Sequence, residues 1–123
     1  NREAFDELPL DADHPDLIAA MAKPNACGYW HDTGHAQIKH NLGFIDHTSQ
    51  VDALEPRLAG FHIHDVTYPG RDHQQPGTGC IDFAALKKYV KPEHIKVFEF
   101  SGSLNTEQVR AGVSYVQGLW GNE

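Results

Sequence analysis

GFHIHD at Gly60–Asp65 has the form of a short strand that ends in side chains able to bind a metal or to move protons. Side chains of a strand alternate between its two faces, so Phe61 and Ile63 take one face. His62 and His64 take the other. One face is therefore hydrophobic and the other carries imidazoles. This pattern predicts a strand with a packed outer side and a functional inner side.

Two further stretches have a similar form. Ala26–Asp32 is a short apolar run that stops at a polar cluster, and Ile95–Phe100 carries Glu99 among hydrophobic residues. Helical patterns follow, with a cap at Asp82 and a capping-box pattern at Asn105–Gln108. Repeated strand–helix units of this length favour a parallel sheet with helices outside it. We therefore predict an α/β fold with about three βα units.

The remaining segments are predicted from turn residues and caps. Thr33–His47 is rich in Gly, His and Asn and is typical of a loop or an irregular helix, and a weak helix follows at Thr48–Leu54. Val66–Gly79 contains Pro-Gly and Pro-Gly-Thr-Gly, which predict a long loop. The Pro-Gly-Thr-Gly turn is only a weak signal for phosphate binding. After a polar loop, a first helix is predicted from His14–Pro15 to Lys23–Pro24.

Composition and charge are those of one globular domain, residues 1–123. The hydrophobic fraction is 40%, and the formal net charge of -7 comes without a basic run, which argues against nucleic acid as a partner. No stretch approaches the roughly 20 apolar residues of a membrane span. Cys27 and Cys80 lie far apart in the sequence, so we expect reduced thiols in a cytoplasmic protein, with a disulfide as the alternative.

Three side chains of metal-ligand type stand at or near the ends of the predicted strands: Asp32, His62 and Glu99. In parallel α/β folds, ligands bind at the carboxyl ends of the strands, so three separate strands can bring these side chains together. Two carboxylates and one imidazole suit Mn, Mg, Co or Zn. The spacing therefore predicts a divalent-metal site.

Structural roles stay open for some of these residues. Asp32 can instead shape a turn, and His62 can be a hydrogen-bonded core histidine. Glu99 is harder to explain in this way, because a lone carboxylate in an apolar strand costs several kcal/mol unless it is paired or metal-bound. His35 can reach the same site or cap a loop, and His73 lies in the long loop, where plain solvation is the simplest role.

Taken in order along the chain, these motifs resemble those of the xylose isomerase-like superfamily, which holds sugar isomerases and epimerases, inosose dehydratase-type enzymes and the endonuclease IV family. The resemblance covers nearly the whole chain. It implies that residues 1–123 are the C-terminal part of a larger (β/α)8 TIM barrel. The similar segments are Trp30–His35, which contains Asp-Thr-Gly-His, Phe61–Asp65, Asp72–His73, Pro76–Phe83 and Val97–Phe100.

The resemblance also implies roles for single residues. Asp32, His62 and Glu99 would be the metal ligands, and Glu99 would also be the base that transfers a proton. Contacts to a carbohydrate substrate are implied for four more side chains: His35, His64, Asp65 and His73. In the endonuclease-type arrangement, His35 and His73 would bind further metal instead.

The chain departs from the family pattern at two places. Asn1 resembles the residue just after a further metal-binding Glu, so we expect this ligand and the other strands to come from a longer chain, or the piece to self-associate. Arg71 stands where the endonuclease pattern has Asp. The resemblance therefore favours a sugar or polyol isomerase or epimerase that moves a proton beside a carbonyl, with a metal-stabilised enediolate. An endonuclease IV-like phosphoester hydrolase and a non-catalytic remnant are the alternatives.

Overall fold

The computed structural model describes residues 27–121, in which strands and helices alternate much as the sequence predicts. Short 3-10 turns at Glu55–Arg57 and Lys87–Tyr89 follow the second and third helices. The predicted first helix and the features at Asn1 lie outside the described residues. The elements, in chain order, are β1 (Tyr29–Asp32), α1 (Thr33–Asn41), α2 (His47–Leu54), β2 (Leu58–Ile63), β3 (Asp65–Thr67), β4 (Arg71–Gln74), α3 (Phe83–Leu86), β5 (Ile95–Phe98) and α4 (Thr106–Trp120).

The main sheet has three parallel strands, with β2 between β1 and β5. Its register places Asp32 beside His62, and His62 beside Val97. Glu99 follows directly after β5, and its backbone N–H donates to the carbonyl of Ile63 at 3.0 Å. The carboxyl ends of all three strands therefore meet at one edge, which confirms the predicted parallel α/β arrangement.

The hydrophobic core lies on the outer side of this sheet. Phe61 and Ile63 are fully buried, as the alternation in β2 predicts. The Phe61 ring lies 5.2 Å from that of Trp120 at the end of α4. Burying side chains of this size contributes ~1.5–3 kcal/mol each. The core also includes residues of α2, α3 and α4, among them Val51, Leu54, Phe83, Leu86 and Val116.

Helix α1 corrects the prediction of a loop or irregular helix after β1. Asp32 accepts a hydrogen bond from the His35 backbone N–H and so caps a regular helix that begins at Thr33. Most residues of α1 from Thr33 to Lys39 are buried, and this packing compensates for the weak helix propensity of glycine and threonine. Helices α2 and α4 are confirmed, the latter with the capping box of Asn105 and Gln108.

The segment after β2 also differs from its prediction. Instead of one long loop, β3 and β4 form an antiparallel hairpin in which Asp65 pairs with Gln74 and Thr67 with Arg71. Strands of three and four residues are too short to show a period against the surrounding Pro and Gly residues. The hairpin folds back beside α1 and brings His73 toward the strand ends.

Two smaller expectations can be compared with the described residues. Cys27 and Cys80 are both free and exposed, in agreement with the prediction of reduced thiols. Among residues 27–121, no helix is both long enough and apolar enough to cross a membrane.

Candidate metal centre

The three predicted ligands converge at the carboxyl edge of the sheet. His62 Nδ1 lies 3.8 Å from Asp32 Oδ2 and 3.5 Å from Glu99 Oε1. Such distances are long for hydrogen bonds. They are close to the roughly 3–3.5 Å that separates two donor atoms when each lies ~2.1 Å from one cation. His62 is therefore within metal-ligand range of each carboxylate in turn. Among the described residues, the sets whose ligand atoms all lie within 4.8 Å of one another are Asp32, His64 and Glu99, and His35, His64 and His73.

The three side chains differ in accessibility. The side chains of His62 and Glu99 are 37% and 35% exposed, whereas that of Asp32 is 3% exposed. The ring of Trp30 lies edge-on to His62 at 5.4 Å and covers one side of it. Asp32 is thus the fixed member of the set, and His62 and Glu99 face the open side of the site.

Asp32 is held as a carboxylate. Burial by itself would raise its pKa, but a hydrogen bond from His64, the electrostatic influence of His64 and His35, and the His35 backbone N–H together lower the pKa to about 2. The group is therefore ionised throughout the neutral range. A cation ligand needs this deprotonated form.

A second set of acids and imidazoles adjoins the first. His35 Nδ1 lies 3.1 Å from Asp32 Oδ2, and His35 Nε2 lies 3.6 Å from Asp72 Oδ2. His73 Nδ1 lies 2.9 Å from Asp72 Oδ1, and His73 Nε2 lies 3.9 Å from Glu99 Oε2. The structure therefore brings His35 and His73 to the site, as predicted.

Asp72 is the site residue that the sequence analysis missed. It lies between the imidazoles of His35 and His73, one position after Arg71, which occupies the place of the endonuclease aspartate. The sequence did contain an indication of this role, because Asp72 directly precedes His73, a candidate site residue. Only the hairpin shows that a carboxylate shifted by one residue still reaches both rings.

His64, for which a substrate contact was implied, is buried away from the open side of the site. It lies one residue beyond β2 and is fully buried, so the alternation that paired it with His62 no longer applies. Its ligand-type atoms lie within 4.8 Å of those of Asp32 and Glu99, and also of those of His35 and His73. Both ring nitrogens are already hydrogen-bonded, however, to Asp32 Oδ1 and to the His73 N–H. In this arrangement neither ring nitrogen of His64 is open to a cation.

Asp65 also faces the protein and not a substrate. Its buried carboxylate accepts four backbone N–H groups, at 2.8 to 3.1 Å. Two of these donors, Gly77 and Gly79, belong to the Pro-Gly-Thr-Gly turn. A side chain at Gly79 would come within 2.2 Å of the Val66 carbonyl oxygen. The turn is therefore wrapped around Asp65, and these N–H groups are not available to a phosphate.

Comparison with known proteins identifies the family. The family model described as "Xylose isomerase-like TIM barrel" matches residues 13–115. The chain belongs to the xylose isomerase-like TIM-barrel family. The match confirms that the α/β sheet is part of a barrel of this family, and it covers Asp32, His62 and Glu99. The xylose isomerase-like family includes isomerases, epimerases and AP endonucleases. No individual curated protein matches the chain.

Proposed function

We propose that this chain carries part of the active site of a divalent-metal-dependent sugar or polyol isomerase or epimerase. The observation that supports this most strongly is the convergence of Asp32, His62 and Glu99 at the carboxyl edge of the sheet, where His62 Nδ1 lies 3.8 Å from Asp32 Oδ2 and 3.5 Å from Glu99 Oε1. Active sites of TIM barrels lie at this face. The substrate would be a small carbohydrate.

Each residue has a defined part in the proposed reaction. Asp32, His62 and Glu99 would hold a Mn, Mg, Co or Zn ion. Such an ion would stabilise the negative charge that develops on substrate oxygens when a proton leaves the carbon beside a carbonyl. Glu99 would take and return that proton, because its carboxylate is partly exposed. His35 and His73 would position substrate hydroxyls.

Metal-dependent phosphoester hydrolysis of the endonuclease type is the second candidate. Asp72 favours it, because its carboxylate lies between His35 and His73 and could help them hold a further cation. The net charge of -7 counts against it, since a DNA-binding surface is expected to be basic. A non-catalytic remnant of the family is the third candidate.

The proposal extends to partners and location. In residues 27–121 the edge strand β5 exposes Ile95 and Val97, at 58% and 39%. Three parallel strands do not close a barrel, so we expect these edges to pair with other barrel strands of the same polypeptide or of another copy. Sedimentation of residues 1–123 as a stable monomer would contradict this. We place the protein in the cytoplasm, in keeping with its two free thiols.

Metal analysis of the purified native protein tests the site. We expect bound divalent metal in the wild type, and a large loss in Glu99→Gln and in His62→Ala. His40→Ala is the matched control, because this exposed histidine lies at the end of α1 and outside the cluster. Unchanged metal content in both site variants would refute the metal centre.

An activity assay then separates the candidate functions. Isomerisation or epimerisation in D₂O is expected to place deuterium on the carbon beside the carbonyl, and Glu99→Gln is expected to lower this exchange by about 10²–10⁴-fold. Cleavage of abasic DNA without exchange into any sugar would instead support the hydrolase. Neither activity, with metal bound, would support the non-catalytic reading.

A further inference from the structure

We propose that His64 is a positioning residue that orients Asp32 toward the cation, and that Thr33 and Gly34 form the socket that holds it. The inference rests on the proposed metal-dependent function. It concerns a residue that is fully buried and whose two ring nitrogens are both hydrogen-bonded within the protein. Its effect on the cation would pass through its hydrogen bond to Asp32, and its effect on the hairpin through His73.

The socket is built from the helix start after β1. A Cβ at Gly34 would lie 2.0 Å from His64 Cε1 and 2.3 Å from His64 Nδ1, so a residue with a side chain cannot occupy this position without displacing the ring. Thr33 Oγ1 donates to the His64 carbonyl at 2.7 Å and accepts from the His64 N–H at 3.1 Å. The threonine and glycine of Asp-Thr-Gly-His therefore serve the fixed placement of His64.

The hydrogen bonds also determine the tautomer of His64. The backbone N–H of His73 donates to His64 Nδ1 at 2.9 Å, so Nδ1 must be an acceptor and carries no proton. The proton of the neutral ring is then on Nε2, which donates to Asp32 Oδ1 at 2.8 Å. The ring thus accepts a hydrogen bond from the hairpin and donates one to Asp32.

This donation orients the two oxygens of Asp32. Oδ1 accepts from His64 Nε2 and also from the His35 backbone N–H, both at 2.8 Å. Oδ2 is thereby turned toward His35 Nδ1, at 3.1 Å, and toward His62 Nδ1, at 3.8 Å. Groups that hydrogen-bond a metal-ligating carboxylate contribute strongly to affinity, and their removal typically costs about 10–100-fold.

The other side of the ring fixes His73. The two imidazoles are stacked, with centroids 4.2 Å apart and an interplanar angle of 5°. His73 has a φ of 55°, a conformation that L-residues rarely adopt and that needs support from its surroundings. His64 therefore holds Asp32 and His73 in one relative arrangement.

Two substitutions of His64 test its hydrogen bond to Asp32 and its hydrogen bond from His73 independently. The amide nitrogen of glutamine can reach the position of His64 Nε2, so His64→Gln can still donate to Asp32. The amide oxygen of asparagine lies near the position of Nδ1, so His64→Asn can still accept from His73 but cannot reach Asp32. The experiment is titration of the intact native protein, and of each variant, with Mn²⁺ alone, with folding checked by circular dichroism.

We expect His64→Asn to bind Mn²⁺ about 10–100-fold more weakly than the wild type, and His64→Gln to restore most of the affinity. Equal Mn²⁺ affinity in wild type and His64→Asn would overturn the inference. So would an equal loss in both folded variants, because His64 would then act only through packing.

Imidazole NMR of the metal-free wild type gives an independent measurement. His64 is expected to be the neutral Nε2–H tautomer, with an Nε2 proton protected from solvent exchange. An Nδ1–H tautomer would overturn the inference even if Mn²⁺ binds. A wild type that binds no divalent cation, with the Nε2–H tautomer present, would instead refute the proposed function and leave the orientation of Asp32 by His64 supported.

Discussion

The side chains of His31 and His47 meet inside the protein, with 2.9 Å between their Nε2 atoms. His47 Nδ1 donates to Gln37 Oε1 at 2.8 Å, so His47 Nε2 has no proton and accepts from His31. His31 Nδ1 then accepts from the Tyr29 hydroxyl at 2.6 Å. In this direction of donation both imidazoles are neutral.

We predict from this pair that the protein loses stability in mild acid. Burial lowers the pKa of His47 to about 4, and the nearby His40 acts in the same direction. Because the unfolded imidazole titrates near ~6.5, the unfolded state binds more protons below that pH. The free energy of unfolding should therefore fall as the pH drops from ~6.5 to about 4, by about 3 kcal/mol from this group.

Chemical denaturation across this pH range measures the effect. His47→Gln should show a flatter dependence, whereas His40→Ala should keep most of it. The depressed pKa of Asp32 acts in a separate window, below its ordinary value of 3.8 and down to about 2. A wild-type unfolding free energy that stays constant from pH 7 to 4 would contradict the neutral pair.

Gly34→Ala should destabilise the protein although alanine is the better helix former. The added methyl group would overlap the His64 ring, with a closest approach of 2.0 Å. Overpacking of this kind costs ~1–3 kcal/mol. Gly118→Ala in α4 is the matched control, because nothing lies within 4 Å of its added Cβ. Thermal melting should show a lower midpoint for the first variant and an equal or higher one for the second.

Asp65→Asn should be strongly destabilising. The carboxylate accepts N–H groups on both oxygens, and an asparagine amide would turn an NH₂ group toward two of them. Leaving buried donors without acceptors costs ~1–3 kcal/mol each. Asp82→Asn is the control, because this exposed cap of α3 accepts from the Ala85 N–H and asparagine caps helices equally well. Equal denaturation midpoints for the two variants would contradict this role of Asp65.

The Asp72→Asn variant distinguishes a site that binds one cation from a site that binds two. If the isomerase proposal is correct, the variant should keep its metal content, because Asp72 lies outside the ligand set, while KM rises as His35 and His73 lose their carboxylate partner. Metal stoichiometry measured beside kinetics checks this. Loss of one bound ion of two would favour the endonuclease-type site.

Much of the scaffold followed from local patterns. The alternation of Phe61 and Ile63 predicts the buried face of β2, and the Asn105–Gln108 capping box predicts the start of α4. The β3–β4 hairpin could not be predicted in this way, because strands of three and four residues are too short to show an alternation of side chains. Asp72 was missed for the same reason.

The sequence by itself determined the strand ends and therefore the ligand candidates, because side-chain alternation and capping depend on near neighbours. The resemblance already implied His62 as the ligand, but only the tertiary structure shows how differently His62 and His64 are placed. His62 stays on the inner face beside Glu99, whereas His64 lies past the strand and enters the space that Gly34 leaves open. That difference depends on contacts between residues about 30 positions apart, such as the 2.8 Å hydrogen bond from His64 to Asp32, and no local pattern contains it.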